Sequence, residues 1–571
     1  MTSRRYTPAT WVAAIALGLT APAAAPAATP LPPTPPTPGR TGRLLVLLDN
    51  PSVRAAVLAL PGLRADGAQV PQIGLLTVRP AGGQLLAPLV PLLRRLPGVR
   101  SVQFERRHAL RVVPNDPALT APEVSPGTPP GTMLQWWIPR LNAPAAWDIT
   151  RGAGASVAVI DTGIDGGHPE FQGKIEQAID LDDTPSAGPA TADEVGHGTH
   201  VASLACAAGD NSQGLVGVGL DCKLIVIKSD LSDGSLARSL VKATDLRAGA
   251  VNMSFGTDGK LPPVQAVVEA VEYAVSKDTV LVAAAADAPV EEQGDPANLL
   301  QTTGTGADLN SSRGLVVTSV DFNGQRSPFA GRGSQISMAS FGSFVAGGGP
   351  PGLFGAFPGN PTVLESSGSL LFPRPPCNCR SQFNGDQRFA YLQGTSMAAP
   401  MVAAAAALMR NLNPDLTAAD VIRVLKQTAA RPPGSGWNAD LGWGILDVGA
   451  AVGTARAIDR RPPSSRLSGP ARVRPARSFT IRWSGTDQAP PSLQPSGVET
   501  YEVYRSTNRR SYKRIGRTAD LRMKVSARAG SRYRFYTLAV DHAGNREAVP
   551  PRPDLSVRVV RTRGPALAAR H

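Results

Sequence analysis

Between residues 134 and 455, short apolar runs alternate with longer helix-like segments, and this alternation restricts the fold more than any other feature of the chain. A run such as Val157-Ala158-Val159-Ile160 has no polar member and reads as a buried strand. A succession of such strands with helices between them predicts an α/β fold, a mainly parallel sheet with helices on both faces. In an open sheet of this kind the carboxyl ends of the strands border the ligand crevice, so chemistry is expected just after each apolar run.

The flanks read differently. Arg4 and Arg5 precede the apolar stretch Trp11–Leu19, and small residues follow at Ala23–Ala28. That layout predicts a cleaved export signal over 1–28 and a secreted, extracellular protein. The apolar part falls short of the about 20 residues a membrane span needs, so no stable membrane insertion is expected. Residues 29–42 form a Pro-rich tether. Residues 43–113 carry a small α/β pattern: a strand at Leu44–Leu48, helices at Val53–Leu58 and Leu86–Leu96, and a strand at Gly98–Phe104. A linker is expected at 114–133, an irregular insertion at about 342–390, and a basic Pro-rich linker at 456–477. Short alternating strands from residue 478 to 560, among them Phe479–Trp483 and Tyr533–Leu538, predict a β-sandwich, with a basic tail at 561–571. The net charge of +14 reflects abundant arginine, and no nucleic-acid motif accompanies it, so no nucleic-acid partner is expected.

Histidine is scarce. Of the six, only His168, His197 and His200 lie in the large α/β region. His168, before Pro169, reads as a turn residue. His197 and His200 open an apolar helix at a spacing of i, i+3, which is not the i, i+4 pattern with glutamate of a zinc peptidase. Asp161 ends the Val157–Ile160 strand, where a carboxylate either orients an imidazole or caps a turn. Ser396, in Gly394-Thr395-Ser396-Met397-Ala398-Ala399-Pro400, precedes an Ala-rich helix; it reads as an N-cap or as a nucleophile beside free N–H groups.

Together the segments Asp161-Thr162-Gly163, His197-Gly198-Thr199-His200-Val201-Ala202 and Gly394–Pro400 resemble the three signatures of the subtilisin-like serine peptidases, in that family's Asp…His…Ser order. Ala143-Pro144-Ala145-Ala146-Trp147, Asn252-Met253-Ser254-Phe255-Gly256 and Gly442–Asp447 extend the resemblance over about 134–455. It implies a serine endopeptidase acting on polypeptides, with Asp161, His197 and Ser396 as the catalytic triad. It further implies a substrate cleft lined by Ser254, Phe255 and Gly256 and by the small Ala283, Ala284 and Ala285. Residues 43–113 resemble the family's propeptide, an intramolecular inhibitor, and the C-terminal module resembles a fibronectin type III or Ig-like domain, whose basic surface is either a solvated face or a contact to cell wall or glycan. No cofactor is required for the chemistry; structural calcium is common in the family, with Glu170 and Asn211 at candidate ligand positions. Cys206 and Cys222 are placed to pair, whereas Cys377 and Cys379 form either a tight bridge or two thiols.

One position departs from the family. The oxyanion is expected to meet the Ser396 backbone N–H and a side-chain amide, but Asp287 stands where the family has that asparagine, after Val282–Ala286. An ionised carboxylate cannot donate a hydrogen bond. The expectation is a slowed enzyme, rescued by a protonated Asp287 or by another donor. The alternative is a catalytically impaired fold that binds peptide or wall material.

Overall fold

The computed structural model describes residues 39–560, apart from 61–62, 68, 81–88, 108–112, 184–187, 258, 260–261, 312, 346–347, 369–375, 433, 475–477, 491–492 and 494. The stretch read as export signal, most of the tether, the basic tail, His108 and His571 lie outside the described residues. The chain divides into two compact units, Met1–Leu110 and Arg111–His571.

In the first unit an antiparallel sheet runs in the order β2-β3-β1-β4. Its strands are β1 (Gly39–Leu48), β2 (Leu63–Ala65), β3 (Leu75–Pro80) and β4 (Val99–Arg107), with helices α1 (Val53–Leu58) and α2 (Leu89–Arg94). Alternation decides which face is covered: Leu44, Val46 and Leu48 of β1 are buried and join Val57, Leu76, Val78, Leu93 and Val102 in one core. Helix α2 ends at Arg94, two residues before the stretch read as helical does, and residues 86–88 of that stretch lie outside the described residues.

The second unit is built on a seven-stranded sheet in the order β11-β10-β9-β8-β5-β7-β6, parallel in every pairing. The strands are β5 (Ser156–Asp161), β6 (Ile175–Asp180), β7 (Lys223–Lys228), β8 (Ala250–Met253), β9 (Leu281–Ala284), β10 (Leu315–Val320) and β11 (Met338–Phe341). Short helices α3 (Trp137–Arg140) and α4 (Ala143–Trp147) lead in. They are followed by α5 (His197–Cys206), α6 (Asp233–Asp245), α7 (Gln265–Ser276) and α8 (Ala297–Leu300). The expected mainly parallel α/β sheet is the one observed. Two apolar clusters cover its faces, one around α5 and the other around α6 and α7.

After β11 comes the stretch expected to be irregular. Instead β12 (Leu353–Ala356), β13 (Arg380–Phe383) and β14 (Asp386–Leu392) form an antiparallel sheet, with α9 (Val363–Ser366) beside it. The β13–β14 hairpin turns at Asn384 and Gly385, both at positive φ (51° and 84°), the conformation that an Asn-Gly pair adopts at low cost. The chain continues into α10 (Thr395–Leu412), α11 (Ala418–Thr428) and α12 (Val448–Ala457). Helix α10 is buried nearly throughout, which its alanines permit because they let neighbouring backbones approach closely.

The C-terminal module packs a three-stranded sheet (β15-β17-β20) with a five-stranded one (β16-β22-β21-β18-β19). Its strands are β15 (Ser464–Ser468), β16 (Arg472–Val473), β17 (Ser478–Thr486), β18 (Val498–Thr507), β19 (Lys513–Thr518), β20 (Arg522–Ser526), β21 (Arg532–Asp541) and β22 (Leu555–Val559). Trp483, Tyr501 and Tyr533 lie in its core. The first strands arise at Ser464, within the stretch read as linker, where Leu467 is buried between the exposed Arg466 and Ser468. Nor is the module loosely tethered: Leu493 belongs to the large apolar cluster around α5 and α10, and Arg461 Nε donates to Asp415 Oδ2 at 2.6 Å.

Cys206 and Cys222 are joined, as are Cys377 and Cys379. The first bridge ties the end of α5 to the start of β7 and closes a loop of 16 residues, worth about 3 kcal/mol in the chain-entropy account. Replacing both cysteines with alanine is expected to lower the unfolding free energy by about that amount in denaturant titrations. An unchanged midpoint would show that the bridge does not constrain the unfolded chain.

No helix among the described residues is long and apolar enough to cross a membrane.

Candidate active site

Four strands, β5, β7, β8 and β9, end at one edge of the sheet, and the residues after them border a cleft of about 760 Å³. Asp161 is the last residue of β5 and is almost completely buried. Its Oδ1 accepts from His197 Nδ1 at 2.8 Å and from the Thr162 backbone N–H at 2.8 Å. This proximity depends on Gly198, because a Cβ there would lie 2.2 Å from the Gly163 carbonyl oxygen. Without that side chain α5 starts hard against the end of β5, and its first residue, His197, reaches the carboxylate.

Asp193, which sequence reasoning did not single out, holds this arrangement. Its buried carboxylate accepts from the Gly196 N–H (2.8 Å), the Thr199 N–H (2.8 Å), the Thr199 hydroxyl (2.6 Å) and the Thr162 hydroxyl (2.8 Å). It therefore clamps the loop before His197 to the first turn of α5. The sequence signal was an aspartate just ahead of a helix start, the N-terminal preference of acidic side chains.

Burial of the His197 ring pulls its pKa down, but the charge and hydrogen bond of Asp161, with Asp193 and Asp287 behind them, push it up further, and the net result is a raised value. With Nδ1 committed to Asp161, Nε2 is the ring nitrogen left to exchange a proton at the cleft.

Ser396 stands in the first turn of α10 and also lines the cleft. Its Oγ donates to the Ser254 carbonyl at 2.8 Å, so in this state the hydroxyl proton is directed to the residue that follows β8. Ser254 Oγ in turn donates to the Ser396 carbonyl at 2.8 Å and accepts from Asn252 Nδ2 at 2.9 Å. The two serines thus fasten the end of β8 to the start of α10.

Asp287 lies beside the nucleophile candidate. Its Oδ1 accepts from the Thr395 N–H at 2.8 Å and from the Thr395 hydroxyl at 3.0 Å, at the positive end of α10. Gly394 is required by this contact, since a Cβ there would meet Asp287 Oδ2 at 2.9 Å.

Ser254, Phe255, Gly256, Ala284 and Ala285 border the cleft. Ala283 does not: it is fully buried and packs into the core on the α6–α7 side, because successive strand residues face opposite ways. Ala286, Gly294 and Ala297 add to the small-residue wall, and Val363, Leu364, Cys377, Asn378, Cys379 and Tyr391 of the insertion form the facing one. The Asn-Gly turn is the signal that marks this wall in the sequence.

The other two histidines play structural parts. His200 is completely buried, bonds through Nε2 to the Leu353 carbonyl (3.0 Å), and is pulled down to about 3 by burial. His168 sits at a turn and is fully buried; Nδ1 accepts from the Glu170 N–H (3.1 Å) and Nε2 bonds to the Arg388 carbonyl (2.7 Å).

Glu170 and Asn211 were the calcium candidates. Glu170 is 1% exposed; Oε1 accepts from the Leu215 N–H at 2.8 Å, whereas the buried Oε2 has no hydrogen-bond partner. Burial, with Asp116 adding to it, pushes this carboxyl up to about 8, and the Asn211 side chain lies against it. Asp116, also 1% exposed, has a buried Oδ1 without a partner. Two orphaned carboxylate oxygens beside an amide are an oxygen donor set that fits calcium.

The subtilase family model matches residues 152–444, a span that contains Asp161, His197, Asp287 and Ser396. This chain belongs to the subtilase family. Its subtilase relatives include thermitase of Thermoactinomyces vulgaris, 28% identical over 320 residues, covering 55% of this chain and 94% of thermitase. Subtilisin BL of Lederbergia lenta is 30% identical over 303 residues, covering 52% and 91%. Among solved structures, a protease from Pseudoalteromonas arctica aligns at 26% identity with a TM-score of 0.45, covering 58% of this chain and 100% of that one. Subtilases are serine endopeptidases, and the cleft described above lies within the matched span.

Proposed function

We propose that this subtilase is a secreted endopeptidase that cleaves polypeptides through an acyl-enzyme, with Ser396 as nucleophile, His197 as general base and acid, and Asp161 as the residue that orients His197. The observation that carries this reading is the 2.8 Å bond from His197 Nδ1 to Asp161 at the edge of the cleft that also holds Ser396. Asp161 fixes the tautomer, so Nε2 presents a lone pair to the cleft. On substrate binding Ser396 Oγ leaves the Ser254 carbonyl, passes its proton to His197 Nε2 and attacks the scissile carbonyl carbon. His197 then gives that proton to the departing amine, and water repeats the sequence on the acyl-enzyme. An extended peptide pairs with the backbone of Ser254–Gly256 as an added strand. The small residues Ala284, Ala285, Ala286 and Gly294 leave room for its side chain.

The oxyanion is met by N–H groups at the start of α10, with the Asp287 carboxylate nearby as an opposing charge. Residues 43–113 act as propeptide and inhibitor, in keeping with their place between the proposed export signal and the peptidase. Calcium is held by Glu170, Asp116 and Asn211, where it stabilises the fold and takes no part in the chemistry. Chelation is accordingly expected to lower the melting temperature by several degrees, and Glu170→Gln to lower it in the presence of calcium and to shrink the effect of chelator. Equal melting curves with and without calcium would remove the ion from the account.

The function itself is tested with an unfolded protein substrate such as reduced casein. The processed enzyme should release internal fragments and the Ser396→Ala chain none; fragments from both would refute the assignment.

A further inference from the structure

A second convergence of ionisable groups lies outside the cleft, where the C-terminal module meets the peptidase domain. Asp459 follows α12, Asp487 follows β17 and Asp541 ends β21, and one carboxylate oxygen of each lies within 4.8 Å of the other two. Asp541 is 0% exposed. Asp487 Oδ1 is shut off from solvent and receives no hydrogen bond.

The donors around the three carboxylates are neutral. Asp459 accepts from the N–H groups of Ser496 (2.7 Å) and Arg461 (3.1 Å). Asp487 Oδ2 accepts from the Gly497 N–H (2.6 Å) and the Ser496 hydroxyl (3.3 Å). Asp541 accepts from the N–H and side-chain amide of Asn545 (2.7 and 2.8 Å), and that amide also donates to the Asp459 carbonyl at 3.0 Å. Arg461, next but one to Asp459, directs its guanidinium to Asp415 instead. Three like charges this close and partly withdrawn from water repel one another strongly; among the described residues none of the three forms an ion pair with Arg or Lys, although the Arg461 charge acts on Asp459 at longer range.

We infer that Asp459, Asp487 and Asp541 form a calcium site that fastens the C-terminal module to the peptidase domain. The donors are all hard oxygens with no nitrogen or sulfur among them, which selects calcium over zinc. Their uneven origins, one from the peptidase side and two from strand ends of the module, suit calcium's tolerance of irregular geometry better than the strict octahedron of magnesium. Water completes the shell. The ion bridges the two folds at the point where Leu493 also enters the peptidase core, so calcium sets how rigidly the module is held.

The test uses the full chain carrying Ser396→Ala, which prevents autolysis, and radioactive calcium in equilibrium dialysis. Asp487→Asn and Asp459→Asn, each introduced separately, should bind one calcium fewer per chain, while Glu170→Gln loses a different one. Undiminished stoichiometry in either folded aspartate variant overturns the site. A second readout needs no substitution within it: in the Ser396→Ala/Glu170→Gln chain, calcium should slow tryptic cleavage after Arg460 several-fold. Cleavage indifferent to calcium in that chain also overturns it, whatever the outcome for catalysis.

Discussion

Asp287→Asn is expected to raise kcat by about 10²-fold, up to about 10³-fold, which is the size of the loss when the side-chain donor is removed from the related subtilisin. The substitution is nearly isosteric. The amide oxygen keeps the Thr395 N–H that Asp287 Oδ1 now holds at 2.8 Å, and the new NH₂ takes the place of Oδ2 beside Gly394. A group that repels the tetrahedral intermediate is thereby replaced by one that donates to it. The same change removes one of the negative charges that push up the His197 pKa. With imidazolium less favoured, the free base persists to lower pH, so the acid limb of kcat/KM should move down in pH as the plateau rises. The cost falls on stability: a carboxylate at the start of α10 favours the helix by about 0.3–1 kcal/mol, and the variant should be less stable by about that much. Faster turnover with an unmoved acid limb would separate the two roles; a slower enzyme would mean that Asp287 itself donates to the oxyanion.

The second large effect is loss. Ser396→Ala should reduce kcat by about 10⁶, a magnitude set by the related subtilisin. Asp161→Asn should reduce it by about 10⁴ with little change in KM, because it preserves the shape of the site but presents the wrong tautomer of His197. Because the three groups act as a unit, the double variant should be no worse than Ser396→Ala alone. Additive losses, measured with one peptide substrate at one pH, would show that Asp161 acts independently of Ser396.

The parallel sheet and the residues at its carboxyl edge were legible in the sequence because each rests on local pattern. Apolar runs mark buried strands, and Asp161, His197 and Ser396 each sit where a strand ends or a helix begins. What escaped notice depends on contacts between distant segments. Asp193 acts through hydrogen bonds to both sides of the loop before α5, and nothing in its immediate neighbours separates that role from an ordinary turn. Ala283 was placed in the cleft with Ala284 and Ala285 because the three are identical in type; only the strand's alternation separates them. The wall formed by β12, β13 and β14 was obscured by its Gly and Pro content, although Asn384-Gly385 marks its hairpin. Leu493 and Asp459 show the limit most clearly, since docking of the module depends on a partner surface that no local pattern reveals.

The central claim is that Asp161 and His197 make one hydroxyl in this chain a nucleophile. Labelling with a fluorophosphonate, followed by mass mapping of the modified peptide, tests it directly. The account predicts a single phosphonyl group on Ser396, absent from Ser396→Ala and formed far more slowly in Asp161→Asn. Equal labelling of the wild-type and Ser396→Ala chains, or a failure of the folded, processed wild-type enzyme to react at all, would contradict it.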